Sequence, residues 1–267
     1  MTSQHIQAID VHAHYGNYHS DKSPPLVNDF VSGDAATVVA RARQVNVRTT
    51  IASPLSGLLP RGRADAVAGN IEAARVAAET DGLLQYVIAH PLQIETFRQV
   101  EEMLAQPQCV GIKIHPEEHA YPIREHGEVL FELAARHDAI MLAHSGDSNS
   151  LPNDFVDFAN AYPNVRLILG HLGNGGGAAG DPTLQVRAIQ ACKHDNVFVD
   201  TSSARSIMPN LIEWAVREIG SHRILFGTDS PLYSTAMQRA RIDSADISEA
   251  DKRNILCDNA IRLFGNV

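Results

Sequence analysis

The sequence predicts a single (β/α)8 barrel, eight parallel strands wrapped by helices, and three observations point there. Short apolar runs alternate with longer amphipathic stretches from one end of the chain to the other, the pattern of parallel βαβ units. In the second half, the strand ends fall at residues 115, 144, 171, 200 and 229, steps of 29, 27, 29 and 29 residues. Each step accommodates one strand, one helix and two short loops. No glycine-rich dinucleotide turn follows the first strand, which argues against an open doubly wound sheet. A length of 267 residues suits one such barrel, and no linker or low-complexity stretch divides it, so residues 1–267 are expected to form one domain.

The strands are expected at Ile6–His12, Val47–Ser53, Leu83–Ala89, Val110–His115, Ala139–His144, Val165–His171, Asn196–Thr201 and Arg223–Asp229. Between them, Ala64–Thr80, Ile94–Ala105, Arg124–His137, Pro152–Ala161, Leu184–His194 and Pro209–Ile219 repeat apolar residues at three- and four-residue spacing, as helices with one buried face do. Ile247–Phe264 supplies a closing helix. Two connections are long: Tyr15–Gly33, with Pro24 and Pro25, and Pro54–Arg63. Both are expected to overhang the C-terminal face of the barrel as lids, because functional loops collect there.

Composition narrows the partners. With 44% hydrophobic and 20% charged residues the chain is globular. Its net charge of −9, from 22 Lys+Arg against 31 Asp+Glu with no basic run, argues against nucleic acid. The three cysteines, Cys109, Cys192 and Cys257, form neither a CxxC pair nor a disulfide framework, which fits a reducing compartment. Met1 to Ile9 lacks a signal-peptide pattern, and no run approaches the roughly 18 apolar residues of a membrane span. A soluble cytoplasmic protein acting on a small molecule is expected, with homo-oligomerisation left open.

The 13 histidines carry the functional signal. The first strand ends Asp10-Val11-His12-Ala13-His14, and residues two apart in a strand share a face, so His12 and His14 both aim into the barrel mouth. The fifth strand ends at His144, the sixth at His171, and the eighth at Gly227-Thr228-Asp229-Ser230-Pro231. A single buried histidine is an ordinary core residue. Four with an aspartate on one rim are costly to bury together unless something satisfies them, and a divalent metal does so. By ligand type zinc suits best, with manganese, iron or nickel as alternatives.

These segments, with Gly170-His171-Leu172-Gly173 and the closing Asn259-Ala260-x-x-Leu263-Phe264, resemble the amidohydrolase superfamily over nearly the whole chain. Within it they are most similar to the group containing metal-dependent hydrolases and non-oxidative decarboxylases. The small β-domain that urease-like members carry ahead of the barrel is not expected. The resemblance implies that His12, His14, His144 and Asp229 surround a metal, and that Asp229 takes a proton from attacking water and returns it to the leaving group. His171 polarises substrate or water in a one-metal site, or joins a second metal in a two-metal site. Lys113 at the end of the fourth strand is placed either to bridge two metals as a carboxylated lysine or to pair, as an ammonium, with a substrate carboxylate. Many mononuclear decarboxylases of the group lack this lysine. One metal ion is the expectation, with two as the alternative.

Softer candidates complete the set. His115 shares a face with Lys113, and Arg205, Arg61 or Arg63 could clamp a carboxylate. Tyr15 is expected at the substrate, with Tyr18, His19 and Leu58 shaping specificity. His90 and Asp200 end strands and line the pocket, whereas His119, His126, His137, His194 and His222 are expected to face solvent. The tract Asn174–Gly177 reads as a flexible loop. The expected function is a metal-dependent hydrolase acting on a small carboxylate-bearing substrate, cleaving an amide, lactone or related bond. The alternative is a metal-dependent non-oxidative decarboxylase, and the third reading a non-catalytic ligand-binding barrel.

Overall fold

The computed structural model describes residues 5–203, 205–265 and 267. Residues 1–4, at the start of the N-terminal stretch, and Ala204, in the loop before Arg205, lie outside them, as does Asn266. Eight parallel strands form one sheet in chain order: β1 (Ala8–Tyr15), β2 (Val47–Pro54), β3 (Leu83–Ile88), β4 (Cys109–Ile114), β5 (Ile140–Ala143), β6 (Arg166–Leu169), β7 (Val197–Asp200) and β8 (Ile224–Leu225). The sheet closes on itself through backbone hydrogen bonds from Val11 N to Phe226 O (2.9 Å), Asp229 N to His12 O (2.7 Å) and His14 N to Ser230 O (2.6 Å). The expected barrel is therefore the observed one.

Most of the helices form where an apolar stripe meets the outer wall of the barrel. Helices α1 (Pro25–Phe30), α2 (Ala35–Gln44), α3 (Ala66–Glu79), α4 (Glu95–Met103), α5 (Ile123–Arg136), α6 (Val156–Ala161), α7 (Leu184–Ala191), α8 (Leu211–Ile219) and α9 (Thr235–Asp243) follow in order. The closing stretch is α10 (Glu249–Arg253) and α11 (Asn259–Phe264), joined by a π-helical turn over Asn254–Asp258. Aspartates start two of them: Asp34 accepts from Thr37 N at 2.7 Å, and Asp65 from Ala68 N at 2.9 Å. Helix α1 lies inside the long connection after β1 and buries none of its residues, so no amphipathic period marked it in the sequence.

The core has two layers divided by the sheet. Ile9, Val11, Ile51, Tyr86, Ile140, Leu142, Ile168 and Leu225 fill the inside of the barrel. The alternate residues, such as Ile112, Ile114, Met141, Leu167, Leu169, Val197 and Val199, pack outward under the helices. On β1 this alternation changes phase. The ladder to β2 pairs Asp10 with Thr50 and Ala13 with Ala52, so β1 carries one extra residue there, a β-bulge. Before it, Ile9 and Val11 face inward; after it, Ala13 and Tyr15 pack outward among Ala35, Val38 and Val39 of α2. His12 and His14 thereby inherit the inward face, on top of the apolar plug.

Candidate metal centre

The bulge brings His12 and His14 to the centre of the barrel mouth, and the turn after β8 brings Asp229 to them. Asp229 Oδ1 lies 3.2 Å from His14 Nε2 and 3.8 Å from His12 Nε2, with all three residues buried. Two imidazole nitrogens and a carboxylate oxygen converging away from water are a donor set that suits a divalent cation. Asp229 adopts φ 55° and His171 φ 73°, both in the left-handed region. Such conformations are held only where surrounding contacts over-determine them, and they concentrate at functional sites.

Burial and neighbouring charge set the protonation states. Desolvation drives the His12 imidazole well below its ordinary range, and the Lys113 ammonium adds to this. Burial likewise lowers His171 to about 3, outweighing the nearby carboxylate of Asp229. Burial alone would raise Asp229, but the hydrogen bond with His14 and the surrounding imidazoles hold its carboxyl well below the usual range. Lys113 is fully buried, and desolvation lowers it to about 8 against the pull of Asp229 and Asp200. Its Nζ sits 2.8 Å from His12 Nε2.

A second layer holds these side chains. His12 Nδ1 is 2.8 Å from Asp200 Oδ2, and Ser202 Oγ lies between His12 Nδ1 (3.0 Å) and His171 Nδ1 (2.8 Å). Two glycines make room for the His12 side chain. A Cβ on Gly170 would stand 3.1 Å from His12 Cε1, and one on Gly227 would stand 3.0 Å from His12 Cβ and 3.1 Å from Asp200 Cγ.

The other expected residues divide clearly. His144 lies at the edge of the centre with its side chain turned elsewhere, Nδ1 2.9 Å from His171 Nε2 and Nε2 2.7 Å from Asp147 Oδ2. As oriented, it is not among the groups of the described residues whose ligand atoms converge; those are His12–His14–Asp229 and His12–His171–Asp200. His115 is buried and stacks on the His144 ring at 4.2 Å, interplanar 13°. Arg205 is exposed after β7. Arg61 is engaged by Glu117 and Glu118, and Arg63 by Asp21 at 2.7 Å. Tyr15 does not reach the mouth: the bulge turns its side chain outward under α2, which corrects the expectation that it meets substrate. Tyr18 instead packs with Leu55, Leu58, Leu59 and Leu232 beside the mouth, next to a cavity of about 520 Å³ bounded by Tyr18, Leu59, Arg61, Arg63 and Glu118.

His119 is also corrected. It is buried rather than solvent-facing, stacked on His90 at 4.2 Å with Nε2 donating to Gly57 O at 3.0 Å. The sequence reading missed Asp147 and Ser202 as partners of the histidines. The spacing of Asp147, three residues past His144, was the only local signal for it. The Asn174–Gly177 tract is pinned rather than loose: a Cβ on Gly176 would stand 2.2 Å from Asp147 Oδ1, so the tract packs against the residue that holds His144.

Comparison with known proteins adds three likenesses. A stretch of 123 residues is 28% identical to the gamma-resorcylate decarboxylase of Rhodococcus jostii (strain RHA1), covering 39% of this chain and 35% of that protein, so the match spans little more than a third of the relative. The fold matches a 2,6-dihydroxybenzoate decarboxylase complexed with 2,6-dihydroxybenzoate, with TM-score 0.74 and 16% identity over 98% of both chains. It also matches a dihydroxybenzoic acid decarboxylase from Polaromonas sp. JS666 with bound manganese and 2-nitroresorcinol, with TM-score 0.70 and 19% identity over 97% of both chains. The hydrolase expectation is corrected by these findings, since the relatives with an assigned activity are decarboxylases. Zinc is not singled out either. The sequence profile described as Amidohydrolase matches residues 9–266, and the chain belongs to the amidohydrolase family.

Proposed function

We propose that this chain is a metal-dependent non-oxidative decarboxylase, a carboxy-lyase acting on a small aromatic acid. The observation that carries the reading is the activity shared by the three similar proteins described above, each named as a decarboxylase. The site supports it from its own chemistry. His12, His14 and Asp229 would hold one divalent cation, with His144 and His171 beside it. When bound, that cation supplies a Lewis acid for the substrate's carboxylate and neighbouring oxygen.

The chain's own residues account for the rest. Lys113, a buried ammonium in the mouth, attracts an anionic substrate, and as a free cation it disfavours a second metal. The buried walls keep water from the reacting carbon. As the bond from ring carbon to carboxylate breaks, its electron pair stays on the carbon, which takes a proton while carbon dioxide leaves. The His144–His171 pair, linked at 2.9 Å, stands where that proton can be held and passed.

The test is product chemistry. Protein loaded with Mn2+ or Zn2+ is incubated with 2,6-dihydroxybenzoate and related ortho-hydroxybenzoates. Carbon dioxide is measured together with deuterium on the product ring in heavy water. Carbon dioxide release with one deuterium per turnover is the expected result; turnover of an ester, lactone or amide with oxygen from labelled water, and no carbon dioxide from any acid, would overturn the proposal.

A further inference from the structure

We propose that Asp200 is a positioning residue that fixes His12 in one tautomer, with the proton on Nδ1 and the Nε2 lone pair turned to the centre. The inference rests on the reading of that centre as a cation site. Its argument is a count of donors and acceptors.

A carboxylate only accepts, so Asp200 Oδ2 at 2.8 Å requires a proton on His12 Nδ1. An ammonium only donates, so Lys113 Nζ at 2.8 Å requires a lone pair on His12 Nε2. The two partners, on β7 and β4, independently demand the same tautomer. Ser202 has a single hydroxyl proton and gives it to Asp200 Oδ1. Asp200 Oδ1 further accepts from the backbone N–H of His171 (3.1 Å) and of Ser202 (2.9 Å), which anchors the left-handed turn at His171. One fully buried carboxylate thus orients the His12 ring, and its own conformation is set by the three donors on Oδ1.

This arrangement makes Asp200→Asn informative. Three donors converge on Oδ1, so the amide oxygen of asparagine must stay there, and its NH2 must face His12 Nδ1. His12 Nδ1 then meets a donor while Lys113 Nζ still presents one to Nε2, so the single ring proton has no acceptor on either side and the ring is no longer held in its ligating orientation. Loss of such an orienting partner weakens metal binding by about 10–100-fold.

The experiment uses the full chain labelled with 15N-histidine and freed of metal. Long-range proton–nitrogen correlations read the ring tautomers, assigned by difference with His12→Asn and His171→Asn. Mn2+ affinity is measured by titration calorimetry and fold by circular dichroism. The wild type is expected to show Nδ1–H at His12; Asp200→Asn to lose that single defined form with Mn2+ binding about 10–100-fold weaker; and Ser202→Ala to leave the His12 tautomer unchanged. An Nε2–H tautomer at His12 of the wild type overturns the proposal, whether or not any variant folds. So does Asp200→Asn with unchanged His12 tautomer and Mn2+ affinity. If the wild type binds no Mn2+ but His12 shows Nδ1–H, the cation reading fails alone and the positioning role stands.

Discussion

Replacing Gly227 by alanine is expected to disturb the centre from behind while adding only one methyl group. The new Cβ would lie 3.0 Å from His12 Cβ, 3.1 Å from Asp200 Cγ and 3.2 Å from Asp200 Cβ. Carbon–carbon contacts are favourable at about 3.5–4.0 Å, so both side chains must give by about half an ångström. Neither has room, since both are fully buried and joined to each other at 2.8 Å. Overpacking of this kind costs about 1–3 kcal/mol, which for a domain of this size lowers Tm by about 2–12 °C. Because the displaced groups are His12 and its orienting carboxylate, Mn2+ affinity should fall about tenfold or more. The control is Gly127→Ala on α5, where the Cβ would stand 2.3 Å from Phe158 Cε2. It should also lower Tm and leave the affinity unchanged. Calorimetric titration and thermal melts of both variants decide the matter. Wild-type Mn2+ affinity in Gly227→Ala would show that the tight fit around His12 has no bearing on the centre.

Three further outcomes are expected. Asp229→Asn should weaken Mn2+ binding at least tenfold with little change in Tm, because asparagine tolerates φ 55°; unchanged affinity would remove Asp229 from the ligand set. Lys113→Met should raise KM for an aromatic acid about tenfold or more, with Tm unchanged or higher because a buried ammonium is replaced by an apolar chain; an unchanged KM would refute its pairing with substrate. His119, lowered to about 3 by burial and then by His90, stays neutral in the fold while the unfolded chain protonates near 6.5. Between those values the unfolded state binds more protons, so stability rises with pH and is lost on acidification, by up to about 1.4 kcal/mol per pH unit for this group. His119→Gln should therefore flatten the fall of Tm between pH 6.5 and 4, and an equally steep fall would exclude His119 as a source.

The barrel was legible because its strands and helices repeat at nearly constant spacing, and all eight strands lie within a few residues of their expected places. The rim residues were legible because strands deliver their ends to one face. Side-chain direction was less so. Tyr15 and His14 are neighbours in sequence, and which of them enters the mouth depends on one extra residue in the ladder to β2, a tertiary detail with no local signature. The orientation of His144 depends on Asp147, itself held against the glycines of the next loop. The choice between hydrolysis and decarboxylation was not legible, because both chemistries draw on the same residue types.

The bulge on β1 also bears on how such a centre could be moved. A strict two-residue alternation that keeps Ile9 and Val11 inside would send His12 and His14 to the helix side, where they would bind nothing. Transplanting the histidines into another barrel by matching letters would therefore fail, however well the recipient strand aligned. What has to be copied is the interruption of the strand's rhythm, the irregular step that lets one short segment serve as core at its foot and as ligand at its tip.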